Sequence, residues 1–396
     1  MNSSYLWMQS HNFRIRTITA GTDISNLNDI KSLEEIISFL LIAKRRFEEN
    51  GYEVQTTRIA LPHFYKISST PLNNKSIKAL QQFDQKCAEH GIMLAIGDLF
   101  PPDAYAPNSL PNIEQLISTT QMLSFHTAIA SAQHGIHFNS IKMAAKICHM
   151  LALKSKGGEA NFRYTASANC PPGIPYFPTA YHSGPPSFGI GLESANIFNF
   201  ALKDVKWQEA KTSIEKHLNE ASGPIVQIAE ELSQRHSFSF NGIDASTAPG
   251  LDASIAAAIE SLTGVPFGCT STLSACALIT DVLKSLPFKT CGYSGLMLPV
   301  IEDQILAQRA SEERYTVEEL LLFSAVSGTG LDVVPIPGDT STLVIAGLYR
   351  DMASLSQKYN SKILSARLFP IPGKKAGEMV EFDNPYLTAC KVMPLK

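Results

Sequence analysis

One pattern recurs along this chain: a short run of β-forming residues leads into a turn of Gly, Pro or Asp, and a segment with helical period follows. Residues 13–19 and 32–49 show the pattern first, and residues 52–61 and 76–90 repeat it. Strands that alternate with helices are typical of an α/β fold with a largely parallel or mixed sheet. The pattern therefore predicts an α/β architecture.

The predicted elements follow one another without a break. Strands are predicted at residues 13–19, 52–61, 91–96, 161–166, 238–243, 289–293, 331–335 and 363–370. Helices are predicted at residues 32–49, 76–90, 113–132, 140–155, 207–222, 225–235, 254–263, 272–286 and 301–310. No low-complexity linker separates them, and the Pro-rich stretches at 101–111 and 171–186 contain aromatic residues that suit ordered loops. We therefore expect a single domain over residues 1–396, with residues 1–12 as a flexible N-terminus.

The composition narrows the classes of function. Charged residues make up 17% of the chain and the formal net charge is −3, which disfavours a basic nucleic-acid-binding surface. The longest strongly apolar run, 36–43, is far shorter than the ~20 residues of a membrane-spanning helix. Residues 1–13 lack the pattern of a signal peptide, and the seven cysteines include no CxxC pair. We expect a cytoplasmic protein with reduced thiols and with neither nucleic-acid nor membrane partners.

Common catalytic signatures are absent from the sequence. It contains no GxxxxGK(S/T) phosphate loop, no HExxH zinc helix, no GxSxG elbow and no GxGxxG that opens a helix. His126, His134 and His137 could share one side of a helix, but no Asp, Glu or Cys stands at ligand spacing beside them. Solvated or hydrogen-bonded histidines near a helix end are therefore favoured over a zinc site.

Three turns carry the acidic residues that suit a functional site. The first turn, 241–250, follows a predicted strand and places Asp244 and Ser246 just past its end. At such strand exits, backbone N–H groups and acidic side chains converge on ligands in α/β proteins. Asp244 is therefore a candidate catalytic and metal-binding residue, and Ser246 is a candidate substrate-binding residue. The alternative is that Asp244 caps a turn.

The second turn, 289–303, contains two glycines that allow a ligand to approach the backbone beside Tyr293 and Ser294. These two residues are candidates for substrate binding. Glu302 is a candidate general base, and Asp303 is a candidate metal ligand. Both acids also open the next predicted helix, where negative charge is favourable without any ligand.

The third turn, 328–341, leaves a β-rich run through the rigid sequence PIPG and ends in Asp339, Thr340 and Ser341. An acid followed by two hydroxyls can cap a helix, or it can hold a hard cation and an anionic substrate. Thr340 and Ser341 are therefore candidate substrate-binding residues, and Asp339 is a candidate metal ligand.

A metal site in these turns requires that Asp244, Glu302 and Asp339 meet at one end of the sheet. The candidate metal ligands are Asp244, Asp303 and Asp339. Carboxylate and hydroxyl oxygens of this kind suit Mg²⁺, Mn²⁺ or Ca²⁺ better than zinc. The sequence leaves the presence of such a metal open.

The segment 163–182 is rich in Pro, aromatic and reactive residue types. Cys170 lies on a stiff stretch before two prolines and is a candidate catalytic residue, unless it is a buried structural thiol. Arg163 and Tyr181 are candidates for binding a charged substrate, and His182 is a candidate for proton transfer.

Six long motifs occur in order along the chain. They are RIRTITAG at 14–21, PPGIPYFPTAYH at 171–182, FNGIDASTAPG at 240–250, GYSGLMLPVIED at 292–303, GLDVVPIPGDTS at 330–341 and ARLFPIPGKKAGEMVEFDNPYL at 366–387. Together they resemble the family called domain of unknown function 711. The resemblance implies a pyruvate formate-lyase-like fold, which is a single large ten-stranded α/β barrel with helices outside and a loop inserted in the barrel. Fold alone does not give function.

The same resemblance invites a test for glycyl radical chemistry. The stretch Lys-Thr-Cys-Gly-Tyr at 289–293 is similar to the Arg-Val-x-Gly-Tyr stretch of glycyl radical enzymes. Lys289 replaces the arginine, however, and a long part of the chain follows Gly292, whereas that glycine lies near the C-terminus in the radical class. A radical on Gly292 is therefore disfavoured.

The sequence predicts an enzyme that acts on a small polar or anionic metabolite in a pocket at the mouth of the barrel. Lyase, isomerase and transferase chemistry remain open, as does assistance by a divalent metal. The alternative is a metabolite-binding regulatory protein, because the resemblance implies amino-acid-sensing ACT-type proteins as partners. Assembly into a homo-oligomer is left open.

Overall fold

The computed structural model describes residues 13–250, 252–360 and 362–395, and the predicted flexible N-terminus at 1–12 lies outside these residues. The described chain has the predicted α/β architecture. Its strands are β1 (Arg14–Gly21), β2 (Val54–Ala60), β3 (Ile92–Asp98), β4 (Leu123–Ser131), β5 (Gly135–Ile136), β6 (Tyr164–Ala168), β7 (Ser187–Glu193), β8 (Ser239–Ala248), β9 (Gly330–Pro337), β10 (Leu364–Ile371), β11 (Met379–Val380) and β12 (Cys390–Lys391). Its α-helices are α1 (Ile30–Glu49), α2 (Phe64–Ile67), α3 (Asn74–Ala88), α4 (Leu110–Ser118), α5 (Phe138–Leu153), α6 (Ala195–Ala201), α7 (Trp207–Arg235), α8 (Ile255–Thr263), α9 (Thr272–Lys284), α10 (Gln304–Ser311), α11 (Val317–Val326) and α12 (Thr342–Lys358).

Ten of these strands form one mixed sheet within the described residues. Its hydrogen-bonded order is β8-β7-β1-β2-β3-β4-β6-β10-β9, and β5 extends from β4. Strands β1, β2, β3, β4 and β6 run parallel to one another. Strands β7 and β8 run in the opposite direction beside β1, and β10 and β9 do the same beside β6. Strands β8 and β9 are therefore the two edges of the regular sheet.

Residues 289–300, here called the bridging segment, lie between these two edge strands. At one end, Ile243 of β8 donates its N–H to the Lys289 carbonyl at 2.9 Å. At the other end, Val300 donates its N–H to the Asp332 carbonyl of β9 at 3.1 Å. The bridging segment therefore contacts both edges of the sheet.

The backbone of the bridging segment is too irregular to form a strand. Gly292 and Ser294 have φ angles of 62° and 38°, which extended backbone does not adopt. The strand predicted at 289–293 is for this reason reduced to an isolated bridge between Thr290 and Ile243. The regular ladder stays open at β8 and β9, so the predicted closed ten-stranded barrel is not detected as a continuous sheet.

Strand β4 occupies the second half of the helix predicted at 113–132. Helix α4 ends at Ser118, and the chain then enters the sheet. Phe125 and Ile129 belong to the main hydrophobic core, whereas His126 between them lines a cavity on the other face. This two-residue alternation suits a strand with two different faces, and the helix prediction beyond Ser118 is wrong.

Helix α7 joins the two helices predicted at 207–222 and 225–235. Pro224 lies in its interior, where a proline removes a helix hydrogen bond at a cost of ~3 kcal/mol. Ala221, Ile225 and Ile228 are buried on either side, so a continuous apolar stripe offsets that cost. Within the described residues, neither α7 nor another helix is long and apolar enough to cross a membrane.

Residues 169–186, here called the inserted loop, pack on the face of the sheet opposite the helices. Helix α1 packs on one face of the sheet, where the ring centroid of Phe39 lies 5.0 Å from that of Phe188 in β7. On the other face, the Tyr176 hydroxyl of the loop donates to the Leu192 carbonyl of β7 at 2.6 Å. A side chain at Gly191 would meet the Tyr176 ring at 2.8 Å. Glycine at this strand position therefore makes room for the loop.

Candidate functional site

One cavity, here called the histidine pocket, opens beside the inserted loop. It has a volume of about 500 Å³, and its lining includes His63, Asp98, His126, Cys170 and Tyr181. The pocket lies near the carboxyl ends of β2, β3, β4 and β6. Ligands in parallel α/β sheets commonly bind outside the carboxyl ends of the strands.

A second cavity, here called the arginine cavity, lies toward the amino ends of β3, β4 and β6. It has a volume of about 80 Å³, and its lining includes Arg16, Arg58, Glu302, Asp332 and Arg367. The two cavities share no lining residue. They are therefore separate spaces on the loop side of the sheet.

Asp98 contacts one histidine of the histidine pocket and pairs in strand register with the other. It ends β3 opposite His126 in the β3–β4 register, and its backbone N–H donates to His63 Nδ1 at 2.9 Å. The rings of His63 and His126 meet edge to face, with their centroids 5.6 Å apart. Three titratable side chains, two from neighbouring strands and one from the segment after β2, are thus gathered around one cavity.

Hydrogen bonds indicate where the imidazole protons lie. His63 Nδ1 accepts the Asp98 N–H, so the proton of the neutral His63 ring is on Nε2. His126 Nδ1 lies 3.4 Å from the Pro178 carbonyl, which can only accept, so the His126 proton is assigned to Nδ1. The pocket therefore holds one imidazole N–H donor and one imidazole lone pair.

Burial shifts the pKa values of this group. Asp98 is 3% exposed, and desolvation raises its pKa to about 7, although its carboxylate accepts the N–H groups of Phe100 and Ala128. Desolvation lowers the pKa of His126 to about 4 and the pKa of His63 to about 2, and the charge of His126 adds to the effect on His63. A carboxyl group that titrates near neutral pH and two neutral imidazoles can exchange protons with a substrate.

Two residues predicted from sequence, Tyr181 and Cys170, form the loop side of this pocket. The Tyr181 ring stacks on His63 with centroids 3.9 Å apart, and its hydroxyl donates to the Cys170 carbonyl at 3.2 Å. Cys170 Sγ lies 3.8 Å from the Tyr293 hydroxyl, and burial raises the pKa of the thiol to about 12. Cys170 is therefore protonated at neutral pH, whereas a nucleophilic cysteine needs a lowered pKa.

Asp244 is fully buried and uses its carboxylate to hold the bridging segment. Its Oδ1 accepts the Ser294 N–H at 2.9 Å and the Ser246 hydroxyl at 2.6 Å, and its Oδ2 accepts the Tyr293 N–H at 2.8 Å. A side chain at Gly292 would collide with Oδ2. Desolvation raises the pKa of Asp244, and the hydrogen bonds oppose that rise. These contacts fix the bridging segment against β8.

Asp303 caps two helices with one carboxylate. It accepts the N–H groups of Ile305 and Leu306 in α10, both at 3.0 Å. It also accepts the Ser254 hydroxyl at 2.5 Å and the Ile255 N–H of α8 at 2.8 Å. Burial raises the pKa of Asp303. Its contacts match the helix-start alternative that the sequence left open.

The turn with Asp339, Thr340 and Ser341 leads into α12. Asp339 is exposed, the Thr340 hydroxyl donates to the Pro337 carbonyl at 2.6 Å, and Ser341 caps α12 by accepting the Val344 N–H at 3.3 Å. These three residues lie apart from both cavities described above.

The acids proposed as metal ligands are not brought together. Across the described ranges, no three His, Cys, Asp or Glu side chains are grouped so that they could hold a metal ion. The expected meeting of Asp244, Glu302 and Asp339 at one end of the sheet is therefore wrong. The physical reason is that Asp244 lies within the sheet against the bridging segment, whereas Asp339 lies in an exposed turn.

Glu302, Arg163 and Tyr293 line the arginine cavity. Glu302 binds Arg367 at 2.8 Å and Arg16 at 3.3 Å, so its carboxylate lies between two cations. Arg163 donates to three backbone carbonyls at 2.6–3.0 Å. The Tyr293 hydroxyl lies within 3.0 Å of two other hydroxyls. All three side chains thus take part in internal hydrogen bonding.

The remaining candidates, His182 and Ser294, line a third cavity of about 590 Å³ that includes Lys284. The His182 Nε2–H donates to the Gly184 carbonyl at 2.7 Å, and burial lowers its pKa. The residues predicted from sequence are therefore divided among three cavities, the contact between β8 and the bridging segment, and the turns that begin three helices.

His63, Asp98 and Arg58 are absent from the residues predicted from sequence. Asp98 stands just after the strand predicted at 91–96, so the strand-exit criterion that selects Asp244 also selects Asp98. The sequence indicates His126 only as part of a histidine cluster near a helix end, because residues 123–131 are predicted as helix and form strand β4. No sequence motif marks His63 or Arg58.

Fold and site together define an α/β protein with a polar pocket beside an inserted loop. The family described as Uncharacterised ACR (DUF711) matches residues 7–383, and this chain belongs to that family. The chain is 29% identical over 384 residues to a UPF0210 protein of Pyrobaculum aerophilum, covering 90% of this chain and 83% of the relative. It is 24% identical to a UPF0210 protein of Neisseria meningitidis serogroup B, covering 97% of this chain and 91% of the relative. A UPF0210 protein of Clostridium perfringens is also 24% identical, covering 95% of this chain and 90% of the relative.

Proposed function

We propose that this chain is an enzyme that transfers protons to and from a small polar metabolite in the histidine pocket. The observation that carries the proposal is the grouping of His63, Asp98 and His126 around one cavity near the carboxyl ends of parallel strands. Buried groups with shifted pKa values concentrate at catalytic sites. A volume of about 500 Å³ is also within the range of ligand pockets.

The three side chains have complementary roles in this proposal. His126 is the base, because its Nε2 lone pair is free of the hydrogen bond made by Nδ1. Asp98, with a pKa raised to about 7, gives or takes a proton at neutral pH. His63 donates its Nε2–H to a substrate oxygen and stabilises the negative charge that develops there. Isomerases and lyases share such steps, so the proposal includes both classes.

We further infer that the bridging segment takes the tenth place in a closed, pyruvate formate-lyase-like barrel. Its bridges to β8 and β9 are both parallel, which supports two antiparallel groups of five strand positions each. The inserted loop then lies inside the barrel, and the histidine pocket is at its mouth. A closed wall would exclude water from the reacting groups.

A metabolite-binding regulator that works with an ACT-type partner is the alternative function. Assistance by Mg²⁺, Mn²⁺ or Ca²⁺ is a variant of the enzyme proposal. The regulator binds a ligand without converting it, and the metal-assisted enzyme loses activity in EDTA. One experiment distinguishes all three.

The purified protein is incubated in D₂O with an extract of small polar metabolites, and the mixture is followed by mass spectrometry. We expect at least one compound to gain deuterium or to change mass. His126→Gln and Asp98→Asn should each slow that reaction by about 100-fold or more. The matched control His134→Gln changes an exposed histidine in the turn after β4 and should leave the rate unchanged.

The enzyme proposal is wrong if no compound exchanges or changes mass, or if both pocket variants keep the wild-type rate. Calorimetric binding of a compound that is not converted would support the regulator instead. Parallel reactions with EDTA, Mg²⁺, Mn²⁺ and Ca²⁺ test the metal-assisted form.

A further inference from the structure

The arginine cavity is independent of the histidine pocket and of the reaction proposed there. Residues 176–179 of the inserted loop line it, whereas the histidine pocket is lined by residues 169–171 and 181 of that loop. Its volume is about 80 Å³. At 10–15 Å³ for one water, this is room for roughly five to eight water-sized groups.

Four arginines line this cavity. Arg163 donates to backbone carbonyls, and acidic side chains neutralise two of the other three. Arg367 binds Asp332 at 2.7 Å and Glu302 at 2.8 Å. Arg16 binds Glu193 at 3.1 Å and shares Glu302 with Arg367. These two arginines therefore have carboxylate partners inside the fold.

Arg58 is the remaining arginine, and its guanidinium has no carboxylate partner among the described residues. The side chain is 7% exposed, and its Nε donates to the Thr56 hydroxyl at 3.2 Å. Its guanidinium lies 5.0 Å from the centre of the Phe177 ring of the inserted loop. Its two terminal nitrogens have no hydrogen-bond acceptor within the described part of the chain.

A buried cation of this kind is costly unless an anion accompanies it. Desolvation and the nearby charges of Arg16 and Arg367 lower the pKa of Arg58 to about 9, so the side chain is still protonated at neutral pH. An anion in the cavity would satisfy the free N–H groups and would reduce the repulsion of Arg58 by Arg16 and Arg367.

We propose that the arginine cavity binds the carboxylate of a small organic acid, with Arg58 as its anchor. A guanidinium donates two parallel hydrogen bonds to the two oxygens of a carboxylate. The lining also includes the apolar side chains of Met93, Phe162 and Met297, which suit the hydrocarbon part of such an acid. An inorganic phosphate or sulfate has no apolar part to place there.

Isothermal titration calorimetry of the full chain tests the proposal with formate, acetate, propionate, butyrate and inorganic phosphate. At least one carboxylate should bind saturably and more tightly than phosphate. Arg58→Met, which keeps the apolar stem, should weaken that binding by about tenfold or more, because hydrogen bonds to a charged group are lost. Arg14→Gln is the matched control, since Arg14 lies on β1 but binds Glu193 and Asp252 outside the cavity lining.

The proposal is overturned if no carboxylate binds, if phosphate binds more tightly, or if Arg58→Met and Arg14→Gln weaken binding equally. Circular dichroism shows whether Arg58→Met is folded. If Arg58→Met is not folded, Arg58→Lys tests the proposal instead. Lysine keeps the positive charge but cannot donate two parallel hydrogen bonds to a carboxylate. A loss of about threefold or more supports the anchor role, and an unchanged affinity overturns it. Asp98→Asn should leave carboxylate affinity unchanged, which separates this proposal from the one for the histidine pocket.

Discussion

Asp98 and His126 stand opposite each other in neighbouring parallel strands, and both side chains are almost completely buried. Loss of water around the charged form raises the pKa of Asp98 and lowers the pKa of His126. Both groups therefore favour their neutral forms in the folded protein. Since one is an acid and the other a base, they make the stability of the fold depend on pH in opposite directions.

Asp98→Asn should remove the pH-dependent contribution that the raised pKa of Asp98 makes to the free energy of unfolding. Between an unfolded pKa of about 4 and the folded pKa of about 7, the folded state binds the proton more tightly, so this contribution to stability is lost as pH rises. The variant should therefore gain stability relative to the wild type over this range, by at most roughly 1.4 kcal/mol per pH unit. Urea unfolding at several pH values measures the difference. A difference that does not change with pH would contradict the assignment.

His126→Gln should show the opposite slope. The pKa of His126 is about 4 in the folded state and about 6.5 in an unfolded chain, so between these values the unfolded state binds more protons. The contribution of His126 to wild-type stability therefore increases as pH rises from about 4 to about 6.5. Over that range, His126→Gln should become less stable relative to the wild type. The same urea series with the exposed His134→Gln is the control. Equal slopes for the two histidine variants would be evidence against the buried, neutral state of His126.

Cys170 should react slowly with iodoacetamide in the folded protein. Burial raises the pKa of its thiol to about 12, and the thiolate is the reactive form. At pH 8 we expect alkylation at least about tenfold slower than in denaturant, as measured by peptide mass spectrometry. The exchange test with Cys170→Ser should also retain activity, because the thiol has no part in the proposed proton transfer. Rapid alkylation at neutral pH would point to an activated nucleophile instead.

Gly292→Ala should destabilise the protein more than an alanine at another glycine with nearly the same positive φ angle. Gly292 and Gly91 have φ angles of 62° and 64°, but the alanine side chain would collide with Asp244 only at position 292. Strain alone costs about 1–2 kcal/mol at either site, and the collision adds to it at Gly292. Urea unfolding of the two variants compares these costs. Equal losses would show that Asp244 does not hold the bridging segment in solution.

The sequence predicted the position of the inserted loop more successfully than it predicted the roles of individual residues. Cys170 and Tyr181 are correctly placed on an ordered loop, and they line a pocket. Asp303 is correctly placed at a helix start, whereas Asp244, predicted just past the end of a strand, lies inside β8. The oxygens of both acids are occupied by backbone N–H groups and hydroxyls. Whether an acid caps a helix, holds another segment in place or binds a ligand depends on hydrogen-bond donors that are distant in sequence. The local sequence pattern does not predict which donors these are.

The alternation of β-rich and helical segments, together with the six motifs, was sufficient to determine the α/β class and the family. These are properties of local periodicity and of residues close in sequence. Only the tertiary structure decided that His63, Asp98 and His126 share a pocket and that Arg58 faces Arg16 and Arg367. The physical reason is that both groupings depend on strand order and register, which long-range core packing determines. The pKa values of these side chains depend in turn on the burial that this packing produces.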